Sequence, residues 1–257
     1  MDLRTVSATR YVTPLREGGS LPAVVEADDD GMYVLKFRGA GQGAKALVAE
    51  LIAGGIARAL QLPIPEIVLL DLDPDLARTE PDPEIQHLIR ASAGLNLALD
   101  YLPGAVNFDP VAEQPSAALA SRIVWFDAYV SNVDRTPRNT NLLIWHRKLW
   151  LIDHGAALYF QHGWDGGSGN AGNPFKLIKD HVLLPWADGL AEADEELSRR
   201  LGRELLGDIV AQVPDAWLAG ADAFADPSTQ RAAYVDYLVK RLEQRQAFVQ
   251  EAIDARR

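Results

Sequence analysis

The hydrophobic period of the chain changes near Pro103-Gly104, and that change limits the fold more than any other feature. Before it, Val6 to Val12, Ala23 to Glu26 and Met32 to Phe37 read as short strands. Ala27-Asp28-Asp29-Asp30-Gly31 is a turn between two of them, because Asp tolerates left-handed backbone and Gly adopts it freely. Leu47, Leu51, Ala53, Ile56 and Leu60 recur at helical spacing over residues 44–60, and Pro63 and Pro65 end that helix. Strands are expected at 64–70 and 95–102, and a helix at 85–93. Between them, 71–84 is rich in proline and acids and reads as an exposed loop. After the break, Ser116 to Val130 forms an apolar helix. A short β pair follows at 142–145 and 148–152, and two more helices at 189–212 and 228–253. Residues 161–174 hold five glycines and two asparagines, the composition of a mobile loop. The pattern predicts an α+β chain in two lobes. A β-rich lobe with one central helix covers residues 1–103, and a mostly helical lobe covers 104–257.

Composition narrows the functional classes. With 48% hydrophobic residues over 257 positions, the chain can bury a core and is not disordered. The formal net charge is −11, spread over both halves, so a general nucleic-acid partner is not expected. There is no cysteine, which excludes disulfides, thiolate catalysis and iron–sulfur chemistry. No pair among the five histidines has metal-ligand spacing, so a zinc site is not expected. No apolar run reaches the ~20 residues of a membrane span. The N-terminus opens no apolar signal core. The expectation is a soluble, cytoplasmic protein.

The chemistry concentrates in one stretch, Asn132-Val133-Asp134-Arg135-Thr136-Pro137-Arg138-Asn139-Thr140-Asn141, with Asp153-His154-Gly155 downstream. Asp134 and Asn139 lie on a loop held between a buried helix and the β pair. Asp153 follows the second strand of that pair, which folds back beside the loop. One carboxylate, one amide and a second carboxylate can therefore converge, as metal-assisted phosphoryl transfer requires. Magnesium takes hard oxygen ligands, few of them from protein, and a separate carboxylate must accept the proton of the attacking hydroxyl. Each residue also has a plainer reading. Asp134 can close an Asx turn, and Asn139 and Asn141 can cap backbone groups. Arg135 reads best as a structural ion-pair partner. Trp125, Phe126 and Tyr129 read as core.

The motif Asp-Arg-x-x-x-Asn, then a strand pair and Ile-Asp-x-Gly, resembles the HipA-like kinases. The same arrangement occurs in the phosphatidylinositol 3-/4-kinase superfamily and, more loosely, in all protein-kinase-like folds. The resemblance implies a two-lobed kinase fold, with Asp134 as catalytic base and Asn139 and Asp153 as metal ligands. His154 stands where the family carries an aromatic. In the N-terminal half, Lys36 at the end of the apolar run Tyr33 to Phe37 resembles the lysine that contacts the nucleotide phosphates. Glu50 on the next helix resembles its ion-pair partner. Gly18, Gly19 and Ser20 fall where kinases carry the phosphate-covering loop, although a plain hairpin turn fits them equally well. Asp100, Tyr101 and Leu102 match the hinge on which adenine docks. The glycine-rich 161–174 occupies the activation-segment position.

The implied function is an ATP- and Mg²⁺-dependent phosphotransferase acting on a hydroxyl, with protein serine or threonine as the leading acceptor. A small-molecule or inositol-lipid kinase remains open, as does a pseudokinase that binds nucleotide or a partner without turnover. Thr136 replaces the histidine that commonly follows Asp-Arg in the lipid kinases. The resemblance begins almost at the first residue, so the N-terminal region that engages an antitoxin in the family's toxins is not expected, and no toxin–antitoxin role is implied.

Overall fold

A computed structural model of the protein describes residues 3–15, 21–41, 43–218 and 223–257. The expected phosphate loop Gly18-Gly19-Ser20 lies outside the described residues.

Five strands close into a barrel: β1 (Thr5–Pro14), β2 (Ala23–Ala27), β3 (Met32–Lys36), β4 (Ile67–Leu72) and β5 (Gly94–Asp100). Their order around the barrel is β1-β2-β3-β5-β4, closed by parallel pairing of β1 with β4. The other contacts are antiparallel. Closure leaves none of these strands a bare edge. Alternation decides what each strand offers. In β3, Tyr33 and Leu35 point into the barrel with Val25, Val68, Leu70 and Ala98. Val34 and Lys36 point the other way.

Helix α1 (Ala44–Ala59) follows β3, and Leu47 to Ala57 is buried without interruption. A helix apolar all round must be covered on every side. Here β5 covers one side, and α5 (Arg203–Ala211) and α6 (Asp215–Leu218) cover another. One hydrophobic core therefore runs from α1 into the C-terminal helices, while the barrel interior is a second core. Helix α2 (Pro83–Ala91), capped by Asp82, adds Ile85, Leu88 and Ile89 to the barrel core.

Stretch 71–84 is not simply a loop. Asp71 and Leu72 complete β4, and a 3-10 helix at Pro74–Thr79 is capped by the Asp73 side chain. Ala77 is fully buried there, which anchors the turn to the barrel core.

The C-terminal part is built around α3 (Ala117–Val130), whose N-cap Ser116 accepts from the Leu119 N–H. A three-stranded antiparallel sheet joins β6 (Val106–Asn107), β7 (Leu142–Trp145) and β8 (Lys148–Leu151). Strand β6, only two residues long, carries no sequence signal. The expected helix at 189–212 is two helices, α4 (Leu190–Ser198) and α5, because the chain turns inward at buried Leu201 and Gly202 is extended. The expected helix at 228–253 likewise divides into α7 (Pro227–Glu243) and α8 (Gln246–Arg256). Among the described residues no helix is long and apolar enough to cross a membrane.

The glycine-rich stretch, expected as a mobile loop, is tied to the rest of the chain at Gln161, Trp164, Ala171 and Asn173. Gln161 is buried, donates to the Lys45 carbonyl and accepts from the Tyr234 hydroxyl. Trp164 packs on Phe224 and Tyr234. Arg241 of α7 donates to the carbonyls of Ala171 and Asn173. Composition reports the backbone freedom of this stretch, whereas the partners that hold it lie 70, 73 and 116 positions away in the chain.

Candidate active site

Loop 131–141 leaves α3 through Ser131, which takes the left-handed conformation at φ 54°. Thr136-Pro137-Arg138-Asn139 then makes a tight turn. The Thr136 N–H donates to the Asn139 carbonyl at 2.9 Å, and the Asn139 N–H to the Thr136 carbonyl at 3.1 Å. Proline is preset for the first central position of such a turn. The turn brings Asn139 back to Asp134, and its Nδ2 donates to Asp134 Oδ2 at 2.8 Å. Asn141, also left-handed, donates to the Asp134 carbonyl at 2.8 Å and to Oδ2 at 3.3 Å. Asp134 and Asn139 are thus paired as their spacing predicts.

Asp153 arrives from β8. The Ile152 N–H donates to the Asn141 carbonyl at 3.1 Å, which ties the strand end to the loop. Asp153 is left-handed at φ 55°, a costly conformation for a residue with a Cβ and one that gathers at functional sites. Its Oδ1 lies 2.7 Å from Lys36 Nζ. Lys36 Nζ is 3.9 Å from Glu50 Oε2, so the expected pair is present but Asp153 is the closer partner. Glu50 is buried and shared, since its Oε1 is 3.2 Å from His154 Nδ1. Burial pulls the Lys36 ammonium down, but the charges of Asp153 and Glu50 more than reverse this, leaving its pKa raised. Burial pushes the Glu50 carboxyl up, but Lys36 and His154 outweigh it and hold it below the usual range. Asp134 differs. Burial and the charge of Asp153 raise it, against the lowering bonds from Asn141 and Asn139.

Lys36, Asn139 and Asp153 line one cavity of about 1280 Å³. That is ample for a nucleoside triphosphate, set against the several hundred Å³ of ordinary ligand pockets. Asp100, Tyr101 and Leu102 line the same cavity. Two of their backbone donors are already engaged. The Asp100 N–H bonds the Glu66 carbonyl at 2.8 Å and the Tyr101 N–H the Met32 carbonyl at 2.9 Å. Among the described residues no carbonyl accepts from the Leu102 N–H.

The residues present suit a hard divalent cation. Asn139 and Asp153 offer oxygen ligands on the cavity wall, and the Lys36 ammonium already rests against Asp153 as a cation would.

Two residues escape the sequence reading, and a third, His181, is read wrongly by it. Arg138 lines the cavity and has no side-chain partner among the described residues. Asp127, in α3, is fully buried and pairs with Arg135 at 2.6 Å. His181 contacts the same Asp127 carboxylate at 2.9 Å and is buried, although its position in the sequence reads as a surface site. One signal was available for Asp127, a lone acid within the apolar run Val124 to Val130. For His181 the sequence pointed elsewhere: beside Lys179 and Asp180 it reads as a surface histidine or, less readily, a substrate contact.

Comparison with known proteins bears on this arrangement. The model of a family described as HipA-like kinase matches residues 9–251. No curated protein matches the sequence. Among solved structures, the Helicobacter pylori proinflammatory kinase CtkA superposes with a TM-score of 0.57 at 11% identity, covering 98% of both chains. The Golgi casein kinase with Mn/ADP bound gives 0.54 at 11% identity, over 99% of this chain and 75% of that one. At such identities the likeness is one of fold, a mixed α and β kinase fold. The match over nearly the whole length, on a chain that brings Lys36, Glu50 and Asp153 together beside paired Asp134 and Asn139, makes this protein a member of the HipA-like kinase family.

Proposed function

We propose that this kinase transfers the γ-phosphate of ATP to the hydroxyl of a protein serine or threonine, in the cytoplasm. One observation carries the reading: Lys36 and Asp153 stand on the wall of the same cavity as Asn139, which is bonded to Asp134. In this reading residues 1–103 and 104–257 are the two lobes, and the cavity is the cleft between them. Leu102 offers its N–H to the adenine edge. Lys36 binds phosphate oxygens, and Glu50, held by His154, keeps the ammonium in reach. Asp134 orients the acceptor hydroxyl and takes its proton, and burial strengthens it as a base. Asn139 and Asp153 would hold Mg²⁺, which supplies charge neutralisation on the phosphates. Little covalent chemistry falls to the protein, so catalysis is positioning and electrostatics. The protein acceptor rests on the family resemblance.

The Lys36–Asp153 contact also favours a second reading. A chain that keeps this ion pair with nucleotide present would bind without turnover, as a pseudokinase. The two readings separate on whether the wild type transfers phosphate, assayed with γ-labelled ATP and a serine/threonine peptide library, and Asp134→Ala in the same assay tests the base. Phosphotransfer is expected to fall by about 10²–10⁴-fold, the usual worth of a general base, with Mg·ATP affinity retained. Transfer that survives the substitution rejects Asp134 as the base, and a wild type without transfer favours the pseudokinase.

A further inference from the structure

Asp127 sits near the end of α3 with no exposure to water. Three side chains converge on its carboxylate: Arg135 Nε at 2.6 Å, His181 Nε2 at 2.9 Å and Asn132 Nδ2 at 2.9 Å. Two of them lead directly to the catalytic loop. Asn132 Oδ1 accepts from the Asp134 N–H at 3.2 Å. Arg135 Nη1 donates to the Asn141 carbonyl and, at 3.3 Å, to the Ile152 carbonyl, and Asn141 in turn holds Asp134. Arg135 therefore ties together the loop and the strand end that carries Asp153.

His181 comes from elsewhere, the segment that follows the glycine-rich stretch and the 3-10 turn Lys176–Asp180. Its tautomer follows from its partners. The Leu183 N–H donates to His181 Nδ1 at 3.0 Å, so Nδ1 carries a lone pair. The hydrogen then resides on Nε2 and is donated to Asp127 Oδ2. The neighbouring Val182 N–H donates to the Arg135 carbonyl at 3.0 Å. Residues 181–183 thus hold the junction of α3 and the loop twice, by the His181 side chain on Asp127 of α3 and by the Val182 backbone on Arg135 of the loop.

We infer that His181 is a positioning residue for the catalytic loop, fixing Asp127 and, through it, Arg135, Asn132 and the Asp134 carboxylate. A buried carboxylate that loses one of three donors draws its remaining partners inward or admits water, and either response moves the loop. The consequence for turnover rests on the phosphotransferase reading, in which Asp134 is the base. A misplacement of about 1 Å at such a group costs on the order of a hundredfold in rate.

The test compares wild type, His181→Leu and His181→Gln as full chains. Turnover of Mg·ATP is measured per nucleotide site titrated by calorimetry, and backbone hydrogen exchange is followed in parallel. His181→Leu is expected to bind Mg·ATP as wild type does while turnover per site falls on the order of a hundredfold. His181→Gln, whose amide can still donate to Asp127, should recover most of it. In His181→Leu the amides of 132–135 and 139 should exchange faster, with β3 and β5 unchanged. Wild-type turnover and wild-type exchange in His181→Leu overturn the inference. So does an equal loss in both variants with faster exchange throughout, which marks a role in the fold alone. If wild type binds Mg·ATP without turnover, the phosphotransferase reading fails, and the exchange comparison still decides the positioning role.

Discussion

Burial drives the His181 imidazole below its ordinary range, and the hydrogen bond and charge of Asp127 offset this only in part. Asp127 moves the opposite way. Burial pushes it up, but Arg135 and His181 more than reverse that and hold it well below the carboxylate range. The folded chain thus keeps a neutral His181 beside an ionised Asp127 and a charged Arg135. An unfolded histidine titrates near ~6.5, so below that pH the unfolded chain takes up a proton that the fold refuses. Stability should therefore fall as pH drops through about 6.5. Urea unfolding of wild type and His181→Gln at about pH 7.5 and about pH 5.5 checks this, with the larger loss expected in wild type. Equal losses would mean that His181 does not carry the effect. At this scale the catalytic candidates are legible, because Asp134, Asn139 and Asp153 sit within two short stretches whose local geometry brings them together. Their support is not, because Asp127 and His181 lie 54 positions apart and meet only when α3 and the 181–183 segment pack.

Helix α1 explains a sequence that propensity alone disfavours, the pair Gly54-Gly55 in mid-helix. A Cβ at Gly54 would lie 2.4 Å from Ile67 Cδ1, and one at Gly55 2.7 Å from Ile209 Cγ2. The glycines let the helix press against the chain at β4 on one side and α5 on the other. Ile67 Cδ1 is the end of a flexible side chain and can give way, whereas Ile209 Cγ2 sits on a branched Cβ and cannot without moving α5. Gly55→Ala should therefore gain up to about 1 kcal/mol of helix propensity and lose about 1–3 kcal/mol to overpacking. A net loss in denaturant midpoint is expected, and a net gain would show that the α1–α5 contact yields easily. Strand positions and helix starts are largely legible, since alternation and caps such as Ser116 and Asp226 are local. Helix ends are less so. The breaks between α4 and α5 and between α7 and α8 come where the chain must turn to pack, and β6 exists only because β7 lies beside it.

For the whole molecule, the cavity and the cores decide what the chain can do. The C-terminal core reaches through α1 to the barrel, so Lys36 on β3 and Asp153 after β8 are held 2.7 Å apart although 117 positions separate them. A Mg·ATP complex at a hundred times its Kd should stabilise the fold by ~2.7 kcal/mol. For a chain of this size that raises Tm by roughly 5–10 °C. The shift should need both ATP and Mg²⁺ and should be lost in Asp153→Ala. No shift under any condition would reject the nucleotide site. The sequence by itself determined the α+β class and the order of the longer elements through short-range periodicity, and the spacing of Asp134, Asn139 and Asp153, while resemblance to the HipA-like kinases added Lys36 and Glu50 as candidates. Only the tertiary structure decided that Lys36 rests on Asp153 before Glu50, that Gln161, Ala171 and Asn173 in the glycine-rich stretch are held by distant partners and that His181 reaches Asp127. Each of these depends on donors and acceptors far apart in the chain, whose pairing is set when the cores close and no periodicity records it.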